Sequence, residues 1–165
     1  MTGRLSVTSR LMKNVGHLSK TLLAPAGLRK ALQGVGKTDN FPCGSVLFHA
    51  GDRNKGIFLI CDGRLCLQVP GAAHLERTFS AGSILGLPST FIGKPYSLTG
   101  TCVTECSVIH IGKKKFLELM TRRLDLCREA TDILSREVAF IFSALGTRSR
   151  ETCVKRSARD LPVSR

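Results

Sequence analysis

Between residues 44 and 69 the chain reads GSVLFHAGDRNKGIFLICDGRLCLQV, with short apolar runs at 46–48, 57–61 and 65–69 set among glycines 44, 51, 56 and 63. Each run has the length of a β-strand and is bounded by Gly, Asp or Asn. The segment LCLQV alternates with period two, so Leu65, Leu67 and Val69 share one face. Gly51-Asp52, Asp62-Gly63 and Pro70-Gly71 are turn dipeptides. Gly tolerates positive φ, Asp bonds its own backbone, and Pro presets one turn dihedral. Further runs at 77–79, 83–85, 99–103 and 107–111 extend the pattern. Short strands and tight turns at this spacing predict an antiparallel β-roll or sandwich over residues 41–112.

The period changes on either side of the roll. AGLRKALQ predicts a short helix over 26–33, ended by Gly34 and Gly36. Residues 113–120 predict an amphipathic helix with Phe116, Leu117 and Met120 inward, and a longer helix follows over 124–145, capped by Gly146. In it Leu134, Val138, Ile141 and Leu145 recur at spacings of four, three and four, a narrow seam that Phe142 widens. Such a seam either packs on its own roll or pairs two copies. Symmetric dimers are the commonest oligomers, so a homodimer through helix 124–145 is the expectation. The fold class is mostly β with flanking helices (α+β): an antiparallel double-stranded β-helix, or jelly roll, followed by a long dimerisation helix. The domain spans 25–145, between a basic leader (1–24) and a basic tail (146–165), both expected to be disordered.

A chain of 165 residues with 42% apolar content supports one domain with a proper core. The net charge of +13 would raise affinity for polyanions without regard to sequence. Its distribution weakens that reading: residues 1–38 hold seven Lys/Arg and no acid, and 146–165 hold six against Glu151 and Asp160. The excess therefore belongs to the ends. No apolar run approaches the about 20 residues of a membrane span, so no membrane partner is expected. Trp is absent and Tyr96 is the single Tyr, which leaves no base-stacking platform.

The seven cysteines, at 43, 61, 66, 102, 106, 127 and 153, form no C-x-x-C pair, and the odd count argues against a closed disulfide set. Cys61, Cys66, Cys102 and Cys106 lie in or beside apolar runs, where a free Cys acts as a small hydrophobe. They are expected to be buried, inert thiols in a reducing cytoplasm. No H-x-H metal pattern, paired carboxylates, nucleophile elbow or P-loop occurs, so neither a metal nor an enzyme activity is expected.

Gly44, Leu47, Phe48, Gly51, Asp52, Ile57, Phe58, Ile60, Gly63, Leu65 and Leu67 carry a family likeness that continues to about Val138. Over this stretch the chain resembles the cyclic nucleotide-binding domain of the Crp/Fnr transcription regulator superfamily. The resemblance implies a β-roll, a helix that pairs two protomers, and signal sensing in transcription regulation in a bacterial cytoplasm. Members that hold an iron–sulfur cluster use cysteines ahead of the roll, and none precedes Cys43 here.

In nucleotide-binding relatives a Gly precedes a short helix whose first N–H groups face the cyclic phosphate. A Glu there accepts from the ribose hydroxyl, and an Arg further on neutralises the phosphate. The matching cassette is GSILGLPSTF, residues 82–91. Gly86 agrees, Leu87 stands at the Glu position, and the Arg position falls at or near Tyr96-Ser97, with Lys94 the nearby cation. A buried phosphate without a partner cation costs several kcal/mol. Binding of cAMP or cGMP in the usual manner is therefore not expected, and no cofactor is assigned. Gly86, Leu87, Ser89, Tyr96, Ser97 and Thr99 form the candidate pocket. Its hydroxyls and amides suit a small neutral or weakly anionic effector if room remains, and none if side chains fill it. Tyr96 is expected as a hydrogen-bonded wall residue.

Relatives continue past the dimer helix into a winged helix-turn-helix, for which GTRSRETCVKRSARDLPVSR is too short. No sequence-specific DNA binding by this chain alone is expected. The reading is the sensory and dimerisation module of a Crp/Fnr-type regulator. The alternatives are an interaction protein that heterodimerises with full-length regulators, or a cyclic nucleotide-binding regulatory protein proper.

Overall fold

The computed structural model describes the backbone of Lys20 and residues 22–157, and the side chains in that range except those of 72–75 and 141–157. Helix α1 (Ala26–Val35) leads into β1 (Lys37–Phe41), β2 (Val46–Phe48), β3 (Gly56–Asp62), β4 (Arg64–Val69), β5 (Ala72–Ser80) and β6 (Ile84–Leu85). Helix α2 (Leu87–Ile92), β7 (Thr99–Cys102), β8 (Cys106–Gly112), α3 (Lys113–Arg122) and α4 (Leu124–Ser157) complete the described chain. Two four-stranded antiparallel sheets result, in the orders β1-β8-β3-β6 and β2-β7-β4-β5. This is the jelly roll expected from the strand spacing, with a long helix behind it.

Strand β3 is buried along Gly56 to Ile60, as suits a central strand covered on both faces. Leu59, Ile60, Leu65, Phe79, Ile84, Leu85 and Ile111 fill the space between the sheets with almost no exposure. Removing such a side chain from water is worth about 1.5–3 kcal/mol, so the core alone favours this arrangement. The turns fall where Gly frees the backbone: Gly71 takes φ +75° in the β4–β5 hairpin, closing the pair Val69↔Ala72.

The helices are pinned to the roll by specific contacts. Helix α1 buries Leu28 and Leu32, one turn apart, and starts after Pro25, which supplies no side-chain cap. A carboxylate from α4 serves instead: the Leu28 N–H donates to Glu129 Oε2 at 3.0 Å. Arg136, one helical face further along α4, donates to the Leu23 carbonyl at 3.0 Å. On the other sheet Arg77 pairs with Glu137 of α4, with its guanidinium 5.0 Å from the Phe79 ring centroid and 4.1 Å from that of Phe140.

Five expectations are corrected. The roll begins at Lys37, not 41, because KTDNF is an edge strand paired only to β8 and needs no apolar alternation. Strand β5 begins at Ala72 rather than 77, since the hairpin pair Val69↔Ala72 opens it ahead of a register shift that separates this pair from Leu67↔Arg77. Helices α1 and α3 each run two residues further than expected, past Gly34 in the first case. Helix α4 does not stop at Gly146 but continues to Ser157, so residues 146–157 of the expected tail are helical. A single Gly costs a helix only about 1 kcal/mol, and no Pro follows it to enforce a stop. The expected disordered leader over 1–24 ends too late: Leu22 and Ala24 are buried, the Ile84 N–H donates to the Leu22 carbonyl and the Ala24 N–H to the Gly82 carbonyl, both at 2.9 Å. Residues 1–19 and 21, the last residues 158–165 and the side chains of Ile141 and Leu145 lie outside the described residues. Among the described residues no helix is long and apolar enough to cross a membrane.

Candidate functional site

The cassette is built where β6 ends against β3. Gly86 adopts φ +83°, and a Cβ there would meet the Gly56 carbonyl oxygen at 3.0 Å and the Tyr96 ring at 3.2 Å. Only Gly allows this close crossing with the left-handed backbone it requires. Helix α2 then starts with Leu87-Pro88. Leu87 is fully buried, and Pro88 removes one N–H donor from the first turn. Ser89 and Thr90 are buried too. The Thr90 hydroxyl lies 2.8 Å from the Gly86 carbonyl and 3.2 Å from Asn54 Oδ1, and donates to one of them.

Tyr96 stands in front of Gly86 and is held from every side. Its hydroxyl donates to the Gly56 carbonyl at 2.8 Å and accepts from the Lys55 N–H at 3.2 Å. Its own N–H donates to the Asp52 carbonyl at 3.0 Å, and its carbonyl accepts from the Gly51 N–H at 2.7 Å. The ring stacks on Phe48 with centroids 4.5 Å apart, and Phe48 stacks on Phe58 at 5.5 Å. Burial pushes the phenol above its ordinary pKa, and the bonds to Lys55 and Gly56 only partly offset this. Tyr96 is thus neutral, with its hydroxyl satisfied within the protein.

A family model described as the cyclic nucleotide-binding domain matches residues 38–123, just over half of the chain. The chain belongs to that family. Solved structures share the fold of this cyclic nucleotide-binding domain. One is the N-terminal domain of a transcriptional regulator from Streptomyces coelicolor A3(2), 19% identical at a TM-score of 0.55, covering 73% of this chain and 88% of that one. Another is Thermus thermophilus catabolite activator protein, 19% identical at a TM-score of 0.53, covering 80% of this chain and 60% of that one. Oxidised CprK in complex with o-chlorophenolacetic acid is 15% identical at a TM-score of 0.63, with 78% of this chain and 55% of that one covered. The chain therefore spans little more than half the length of the two longer relatives. No curated protein sequence matches it. Family and fold are those of regulatory binding domains.

Within this cyclic nucleotide-binding domain the candidate residues divide. Gly86, Leu87, Ser89 and Tyr96 come together at the cassette. Ser97 is exposed, and the Thr99 hydroxyl is taken up accepting from the Ala50 N–H at 3.1 Å. Lys94 is also exposed, outside the wall that Tyr96 forms. Phe48, Asn54, Gly56 and Thr90 complete the site, yet sequence reasoning does not single them out for it. The partners of Tyr96 lie about forty residues upstream, and only the paired turns around Gly51 and Gly56 hint that this loop folds back.

Proposed function

We propose that this domain is the sensory and dimerisation module of a Crp/Fnr-type regulator and does not hold a cyclic nucleotide in the usual manner. One observation carries the reading: Leu87 and Tyr96, where relatives place the acid and the cation, are both locked into the core. A cyclic phosphate seated at Gly86 would meet an aromatic ring and no guanidinium, and leaving its charge uncompensated costs several kcal/mol. The hydroxyls of Tyr96 and Thr99 are already engaged within the protein, which favours a pocket filled by its own side chains. A cytoplasmic setting accords with this reading, as the six described cysteines are all free.

Dimerisation is supported by two neighbouring stripes on α4. Leu126, Ala130 and Ile133 bury within the same chain, where α4 packs on helices α1, α2 and α3, and Leu134 packs partly beside them. Val138, one turn on from Leu134, is 50% exposed. Its helical neighbours at the same spacing are Ile141 and Leu145. A half-exposed apolar position that stands in a sequence seam beside a buried stripe is the pattern of a helix with a second partner. Sedimentation of the full chain is expected to give a dimer, and V138E with I141E together a monomer. A double variant that stays dimeric contradicts the helix seam.

A further inference from the structure

Three thiols far apart in sequence meet at one end of the roll. Cys43 lies in the β1–β2 loop, and Cys102 and Cys106 flank the turn at 103–105 that joins the two sheets. The Gly44 N–H donates to the Cys102 carbonyl and the Cys102 N–H to the Ser45 carbonyl, both at 2.8 Å. Loop and strand therefore lie side by side, and Cys43 is one residue from this contact. Gly44, at φ +86°, and Ser45 thus share Cys102 as a bulge, and Cys43 precedes them in the turn closed by the Ser45 N–H to the Pro42 carbonyl at 3.1 Å. The Cys43 thiol donates to the Val103 carbonyl at 3.0 Å, and Cys106 Sγ lies 3.2 Å from the Arg64 carbonyl. Access differs sharply among the three. Cys43 is exposed, whereas Cys102 and Cys106 are buried. Burial first, then the neighbouring Cys106 and Cys43, push the Cys102 thiol up to about 12, so it stays protonated. Among the described residues no group of three His, Cys, Asp or Glu is placed to hold a metal ion. The chemistry this grouping offers is covalent.

We propose that Cys43 and Cys102 form a thiol site that reacts with hydroperoxides, with Cys43 taking the oxidant and Cys102 closing a disulfide. The Cys43 thiolate attacks a peroxide oxygen, the O–O bond breaks, and the leaving oxygen takes a proton to become water or an alcohol. Cys43 is left as a sulfenic acid. The Cys102 sulfur then displaces its hydroxyl, forming the S–S bond, and the hydroxyl departs as water with the Cys102 proton. Two thiols are oxidised and one hydroperoxide is reduced. The product clips the β1–β2 loop to the strand that enters the inter-sheet turn. Cys106 stays hydrogen-bonded beside it and is not consumed.

The test treats the reduced full chain with dilute hydrogen peroxide, counts thiols and maps tryptic fragments without reductant. Two of the seven thiols are expected to disappear and to return with dithiothreitol. The fragment that begins at Thr38 and carries Cys43 is expected to be joined to the one holding Cys102 and Cys106. C43S changes an exposed residue that the core does not need, and is expected to lose thiols at least about tenfold more slowly. The proposal is overturned by a wild-type chain that keeps all seven thiols, by Cys43 gaining oxygen without the crosslink, or by C43S oxidising at the wild-type rate.

Discussion

Replacing Leu87 by Glu lowers the melting temperature by about 15 °C or more instead of creating a sugar-binding carboxylate. Leu87 has no exposed surface and sits at the first helical position after Gly86. Its loss removes about 2 kcal/mol of apolar burial. A carboxyl placed there must stay neutral or hold an unpaired charge, which adds several kcal/mol more. Together these approach the whole stability of a domain, about 5–15 kcal/mol. A thermal melt followed by circular dichroism reads the difference. A variant that melts within a few degrees of wild type would mean that water or a cation reaches this position, and the closed cassette would have to be abandoned.

Gly56→Ala is expected to be at least as damaging, costing more than about 4 kcal/mol. Gly56 adopts φ +137° where β3 crosses the end of β8, opposite Gly112. A Cβ at this position runs into the Ile111 carbonyl oxygen and comes within 2.8 Å of the Lys113 nitrogen. Both obstacles are backbone, so no rotamer change relieves them. The same residue gives Tyr96 its hydrogen-bond acceptor, and displacing it loosens the cassette wall as well. Gly71→Ala is the control, because its φ is +75° but nothing lies within 4 Å of the new Cβ. That variant carries backbone strain alone, of order 1–2 kcal/mol. In urea the Gly56→Ala midpoint should fall by about 2 M or more and that of Gly71→Ala by about 1 M or less. Equal shifts would show that the β3–β8 crossing is not tight.

The turns were the most legible part of the fold. Gly44, Gly51, Gly63, Gly71, Gly82 and Gly86 all take positive φ, and each stands at a strand boundary that the apolar pattern marks. The central strand β3 was legible because burial on both faces demands a continuous apolar run, and β8 because buried Val108, Ile109 and Ile111 recur around the half-exposed His110. The edge strand β1 was not, since it is exposed and its pairing to β8 is set by backbone alone. The end of α4 is not legible at Gly146, where a local helix breaker is too weak to act without a following Pro. At the site, the missing acid and cation and the residues in their places are legible residue by residue, but not how those residues are held. That Tyr96 reaches Gly56, or that Cys43 lies beside Cys102, depends on contacts between distant segments that no local period encodes.

The central claim is that Tyr96 and Leu87 close the place where relatives hold a cyclic nucleotide. Isothermal titration of cyclic AMP, and then cyclic GMP, into the full chain at micromolar concentration tests it most directly. The account predicts no saturable heat with either nucleotide. Stoichiometric binding with a micromolar or tighter Kd would contradict it.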